Sequence, residues 1–160
     1  MLDPLDQRTV DDVDEHGWHC VQVGAGNEEP AFSYSVGFWE TLDMPEIIVF
    51  VLGFKLMHSM LWEAFRQIRV GKVLADGARW SDLIEGFDCI SRPVHPSQIR
   101  QYFGFATWYR GYRTGSSEIS AYQLFWPGKV DGLYPWDIGS SEIVRECQPL
   151  LYLTRETGNA

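Results

Sequence analysis

The chain has 160 residues, of which 45% are apolar and 14% aromatic, and its 22 acidic and 13 basic side chains give a formal charge of −9 at pH 7. This length predicts a single domain over residues 1–160, with a core at about 11–152 and a frayed tail at 153–160. Because an acidic chain repels phosphate backbones and anionic lipid, we expect neither nucleic acid nor a membrane as its partner.

The cysteines point to an intracellular setting. Cys20, Cys89 and Cys147 contain no CxxC pair and are odd in number, so they predict neither a disulfide framework nor a metal site. The first six residues lack the basic and apolar regions of a secretory signal, and the longest apolar run, residues 47–52, is too short to span a bilayer. The expected location is cytoplasmic.

In the first half of the chain, the pattern predicts a short acidic helix over Thr9–His16, capped by Gly17. Alternating strands are predicted at 18–23 and 31–38. In the second of these strands the serines lie on one face and the aromatic residues on the other. A strand that is apolar throughout follows at 46–52, as expected where both faces of a sheet are covered.

The clearest element is an amphipathic helix over residues 56–68, which ends at Gly71. A strand is predicted at 87–94, a helix from Pro96 to about residue 106, and a strand at 119–126, with turns beyond. This order predicts an α+β fold with a mainly antiparallel sheet, either curled or closed as a small split barrel, and two to three packed helices.

Two residues are candidate general bases. The ring of His19 shares a strand face with Val21 and Val23, where partial burial requires a hydrogen-bond partner. Glu46 opens an apolar strand, where desolvation would raise the pKa of its carboxyl group. The ordinary alternatives are a structural hydrogen bond for His19 and a solvent-exposed strand end for Glu46. The spacing of His16 and His19 occurs in some metal sites, but the predicted helix ends between them, and no metal site is expected.

A second group of residues has the chemistry of a ligand pocket. Hydroxyl groups on a strand can bind an anionic group, and flat rings with one polar atom suit the wall of an aromatic-ligand site. The alternative is core packing. The candidates are Ser33, Tyr34, Ser35, Gln123, Trp126 and Trp136.

Several motifs in order resemble a known family. They are Glu15-His16-Gly17-Trp18-His19, residues 31–38, residues 44–49, Gln123-Leu124-Phe125-Trp126-Pro127, residues 132–136 and Gln148-Pro149-Leu150. Together they resemble the bacterial family catalogued as domain of unknown function 4262, over about residues 11–150. One departure is Gly128, where the family pattern usually has an aspartate. The resemblance implies membership and no activity.

The order of elements from Ser33 onward is also similar to the opening of flavin-reductase-like split barrels. That likeness implies a flavin cofactor, whose phosphate Ser33 and Ser35 would hold, and a homodimer. Three hypotheses therefore remain open: a small-molecule-binding domain, a non-enzymatic acidic module that binds a basic partner, and a hydrolase that uses His19 or Glu46 as base.

Overall fold

The computed structural model describes residues 1–155. The helices in this part of the chain are α1 (Pro4–His16), α2 (Phe38–Leu42), α3 (Phe54–Arg69), α4 (Pro96–Tyr102), α5 (Gly104–Thr114) and α6 (Glu142–Cys147). The strands are β1 (His19–Val23), β2 (Phe32–Val36), β3 (Glu46–Phe50), β4 (Ala78–Ile84), β5 (Phe87–Pro93) and β6 (Ala121–Phe125). The predicted frayed tail falls largely outside the described residues.

The strands form one mixed sheet in the order β1-β2-β3-β6-β5-β4. Neighbours are antiparallel except β3 and β6, which run parallel with Ile48 opposite Gln123. The sheet is open, with β1 and β4 as its edges. The α+β fold class is thus confirmed. Of the two sheet forms that the sequence allowed, the sheet is the open one and not the closed split barrel.

Helices cover both faces of this sheet. One core lies between the sheet and α1, α4 and α5, and it contains Tyr34, Phe50 and Tyr109. The other lies between the sheet and α3, and it contains Ile47, Phe65 and Trp80. Because β3 belongs to both cores, all five of its residues are buried, as its apolar sequence predicts.

α1 ends where the sequence predicts but begins at Pro4, five residues before the predicted start at Thr9. Its N-cap is Asp3, whose carboxylate accepts a hydrogen bond from the Asp6 amide (2.9 Å), and its C-cap is Gly17, with a φ of 92°. In α3 the predicted apolar stripe is buried, and each of its larger side chains contributes about 1.5–3 kcal/mol. The buried residues of that stripe are Met57, Met60, Leu61, Ala64, Phe65 and Ile68.

Three elements were not predicted. α2 and α6 have only five and six residues, which is too few to show a helical period. In β4 the buried residues Trp80 and Leu83 are three positions apart, because the pairing register shifts between them and Asp82 has a φ of 66°. This irregularity removes the alternation by which a strand is recognised.

The helix predicted from Pro96 is in fact two helices, α4 and α5, which meet at Phe103 and Gly104. The amide of Phe105, in the first turn of α5, donates a hydrogen bond to Tyr34 Oη on β2 (2.9 Å). A side chain of the sheet thus binds one of the free amides at the start of α5. Across residues 1–155, no helix is both long and apolar enough to cross a membrane.

Candidate functional site at the edge of strand β1

A cavity of about 700 Å³ lies along the outer edge of β1. Its floor is formed by the five consecutive residues from Trp18 to Gln22. One wall is formed by α1 and Phe105, and the other by His58 and Trp62 of α3. The residues contributed by α1 are Leu5, Arg8, Thr9, Asp12 and His16. This volume is within the range of small-molecule sites, about 300–1,000 Å³.

The central polar contact of the cavity joins Asp12 on α1 to His19 on β1. His19 Nδ1 lies 2.7 Å from Asp12 Oδ2, and the His19 side chain is only 14% exposed. Because an ionised carboxylate can only accept, Nδ1 carries the proton and Nε2 is the ring's acceptor. Nε2 has no hydrogen-bond partner among residues 1–155.

Burial lowers the pKa of His19, and the hydrogen bond to Asp12 opposes this shift. The ring is therefore neutral at pH 7, with an oriented lone pair on Nε2. Such a carboxylate–imidazole pair can accept a hydrogen bond from a ligand or take a proton from a reacting group.

The aromatic wall offers one further donor. Trp18 is only 3% exposed and packs against His58 and Trp62, with ring centroids 5.8 and 5.3 Å apart. Its indole Nε1 is buried and lacks a hydrogen-bond partner in the described part of the chain. A buried donor without a partner is uncommon, and a ligand group is one way to satisfy it.

Cys20 also lines the cavity, but it is not an activated nucleophile. Burial raises the pKa of its thiol to about 12, so the thiolate is scarce at pH 7. Although His16, His19 and His58 share the cavity with Asp12, no three ligating side chains in residues 1–155 are arranged to hold a metal ion.

Glu46, the second candidate base, lies away from this cavity and is 1% exposed. Its carboxylate accepts hydrogen bonds from Ser35 Oγ (2.7 Å) and from the amides of Gly37 (2.8 Å) and Phe38 (3.2 Å). Burial raises its pKa to about 7, and these three donors oppose the shift. The carboxylate thus joins the end of β2 to the start of α2.

The predicted serine pair is fully buried on the α3 side of β2. Ser35 Oγ donates to Glu46 and accepts from the Ile47 amide (2.9 Å). Ser33 Oγ has no hydrogen-bond partner in residues 1–155, and Tyr34 faces the opposite core. Because neither serine is exposed to solvent, the pair does not fit an open flavin-phosphate site.

The other three predicted ligand residues lie on or beside β6, an inner strand of the sheet: Gln123 is in β6, Trp126 follows it, and Trp136 packs on Phe125. Gln123 donates to Pro149 O (2.8 Å) and accepts from the Leu151 amide (3.2 Å), and Trp126 Nε1 donates to Phe50 O (2.9 Å). Trp136 stacks on Tyr134, with centroids 5.5 Å apart. None of the six predicted ligand residues lines the β1 cavity, and their binding role stays a prediction.

Sequence reasoning missed most of the cavity. The sequence marks Asp12 only as part of a short acidic helix, and it does not single out Arg8, His58 or Trp62. Asp12 and His19 are separated by the end of a helix and a turn, and no sequence period relates those positions. The available signal was Trp18-His19 directly after the capping Gly17, since this pair begins a strand beside the helix that has just ended.

The unusual Gly128 has a local explanation. A Cβ atom there would lie 2.4 Å from Asp131 Oδ1, which accepts a hydrogen bond from the Leu133 amide (2.9 Å). The carboxylate of Asp131 therefore occupies the space in which a side chain at position 128 would start.

Comparison with known proteins gives one match. A family model described as "Domain of unknown function (DUF4262)" matches residues 12–141, which include most of the cavity. No curated protein and no solved structure matches this chain significantly.

Proposed function

We propose that this chain, which belongs to the DUF4262 family, binds a small molecule in the cavity along β1. The observation that carries this proposal is the pairing of His19 with Asp12 in a cavity of about 700 Å³. The pair fixes one acceptor, His19 Nε2, while Trp18 Nε1 supplies a donor without a partner in residues 1–155. Trp62 and Phe105 supply flat apolar surface.

The proposal can be tested with a library of flat fragments that carry adjacent donor and acceptor groups, such as aminopyridines and hydroxybenzamides. Binding is measured by ligand-observed NMR and by thermal shift. Fragments that bind the wild type should bind about tenfold more weakly to His19→Gln and to Asp12→Asn, because each change removes an oriented polar contact.

Matched controls separate this effect from a general loss of stability. His95→Gln changes the N-cap of α4, and Glu15→Gln changes an exposed acid on the same helix as Asp12. Neither residue lines the cavity, so both variants should bind like the wild type. Fragments whose affinity is equal in all four variants would place the binding site elsewhere.

The same fragments should show a defined pH dependence. The pKa of His19 is lowered from 6.5, so the ring is neutral above that pH and accepts a hydrogen bond. Affinity should be constant above pH 7 and fall once protonation occupies Nε2, at a pH below 6.5. In His19→Gln this fall should be absent.

The Asp12–His19 pair also supports a second candidate function, hydrolysis by a water molecule that His19 activates. Water is the nucleophile in this candidate, since burial raises the pKa of the Cys20 thiol to about 12 and keeps it neutral. A panel of small esters and amides tests this role. Turnover that survives in His19→Gln would exclude it.

A further inference from the structure

The floor of the β1 cavity is the unpaired edge of a sheet, and the direction of its main-chain groups follows from the pairing. The Glu46 amide donates to Ser120 O, next to β6, whereas the Ile47 amide donates to Ser35 Oγ on β2. Main-chain groups alternate in direction along a strand. Val49 therefore bonds Ser33 on β2, and the main-chain groups of Phe32, Tyr34 and Val36 point towards β1.

The partners of those residues on β1 are Val23, Val21 and His19. The N–H and C=O groups of the two residues between them, Cys20 and Gln22, must then point away from β2 and into the cavity. Both residues line it. Four main-chain hydrogen-bonding groups are thus presented to whatever occupies the cavity.

The two edges of the sheet differ in how they are protected. β4 has a register shift at Asp82, and Lys72 Nζ donates to Arg79 O on that strand. Bulges and charged side chains are common ways to block pairing at a sheet edge. In contrast, β1 has the sequence His-Cys-Val-Gln-Val, with no proline, lysine, arginine or acidic residue.

The negative charge of α1 and of the chain as a whole favours a basic occupant over a second copy of the chain. α1 contains Asp6, Asp11, Asp12, Asp14 and Glu15 against Arg8, a balance of 1 − 5 = −4. Of these charged residues, Asp12 and Arg8 line the cavity itself. Antiparallel pairing of two β1 strands would place the two α1 helices on the same face of a joined sheet, in chains that each carry −9. Like charges in that arrangement repel.

We propose that the β1 edge binds a short, extended, basic peptide, whose main chain pairs with Cys20 and Gln22. Alternate side chains of the added strand lie on the α1 side, near Asp12, and on the α3 side, near Trp18 and Trp62. The preferred peptide therefore alternates basic and apolar residues. This inference rests on the proposed function, because it names the ligand class of the same cavity.

The test uses a capped octapeptide of alternating Arg and Val, with a charge-reversed Glu-Val octapeptide as the comparison. Binding to the intact chain is followed by fluorescence anisotropy and by the amide signals of Cys20 and Gln22 in NMR spectra. The Arg-Val peptide should bind about tenfold or more tightly than the Glu-Val peptide and should shift both amide signals. Equal binding of the two peptides, or unchanged amide signals, would overturn the proposal.

Gln22→Pro and Gln22→Ala form a matched pair. Both remove the side-chain bond to Phe54 O, but only proline removes the outward N–H, and proline is tolerated at an edge whose N–H faces solvent. Peptide binding should weaken about tenfold in Gln22→Pro relative to Gln22→Ala. Equal binding in the two variants would overturn main-chain pairing.

A second measurement needs no protein variant. N-methylation of the four Val amides or of the four Arg amides blocks opposite edges of the peptide strand. One of these two N-methylated peptides should lose binding and the other should keep it. Equal effects of the two modifications would overturn the proposal.

Two further outcomes separate the two proposals. Fragments that bind through His19 while no peptide binds would overturn this inference and leave the proposed function in place. A dimer that forms without peptide and is lost in Gln22→Pro would overturn it in favour of a second copy of the chain.

Discussion

Glu46 shows at the scale of one residue how a buried carboxylate can govern stability. Its pKa is raised from 4.5 to about 7, chiefly by burial. The folded state therefore binds more protons than the unfolded state between these two pH values. Since stability falls with pH wherever the folded state holds more protons, the contribution of Glu46 is fully present below pH 4.5 and is lost as the pH rises through 7.

We expect Glu46→Gln to remove this pH dependence. An amide cannot accept hydrogen bonds from Ser35, Gly37 and Phe38 together, so one buried donor loses its partner at a cost of about 1–3 kcal/mol. Denaturant unfolding from pH 4.5 to 8 should show that the variant's free energy of unfolding lies furthest below that of the wild type at low pH. Above pH 7 this deficit should be smaller. The exposed Glu118→Gln is the matched control, and a deficit that is constant with pH would contradict this account.

At the scale of elements, the position of α1 depends on a close contact with Gly37. This residue has a φ of 100°, and a Cβ atom there would lie 3.0 Å from both methyl carbons of Val13. The helix that contains Asp12 is thus packed directly on the main chain that follows β2. A side chain at position 37 would therefore press on Val13 and strain the packing of the helix that contains Asp12.

Gly37→Ala should therefore destabilise the fold by about 1–3 kcal/mol, through left-handed backbone strain and the contact with Val13. Ligand binding should weaken as well. The control is Gly24→Ala, since a Cβ atom there meets nothing within 4 Å. The double variant Val13→Ala/Gly37→Ala relieves the contact with Val13 but keeps the backbone strain. Comparing its thermal unfolding with that of Gly37→Ala therefore separates the two causes. A single variant as stable as Gly24→Ala would refute the packing argument.

At the scale of the whole molecule, two buried glutamines fasten the C-terminal segment to the sheet. Gln123 bonds Pro149 and Leu151, as described above. Gln148 accepts from the Trp126 amide (2.9 Å) and donates to Trp126 O (2.9 Å). Both side chains are completely buried, so their amides replace the water that this main chain would otherwise bind.

Replacing Gln123 by alanine should leave the Leu151 amide and the Pro149 carbonyl without these partners, at about 1–3 kcal/mol for each group. The exposed Gln101→Ala is the matched control. Hydrogen exchange should show the largest loss of protection at residues 148–151 and little change in β1. A uniform loss of protection over the chain would instead mean that Gln123 stabilises the whole fold and not the C-terminal segment in particular.

The sequence by itself determined the elements whose burial follows a period. The stripe of α3, the apolar run of β3 and the alternation of β1 and β2 were all readable, because side chains on regular elements repeat every 3.6 or 2 residues. The glycine cap of α1 and the split of serines and aromatics across β2 were readable for the same local reason. The α+β class followed from the order of these elements.

Only the tertiary structure decided which polar groups meet. Asp12 joins His19 because the turn at Gly17 folds α1 back along β1, and Glu46 meets Ser35 because β2 and β3 are paired. Gln123, whose sequence context is typical of a pocket residue, bonds the main chain of a segment 26–28 positions away. Such contacts join residues that no local period relates, so they depend on how the elements pack.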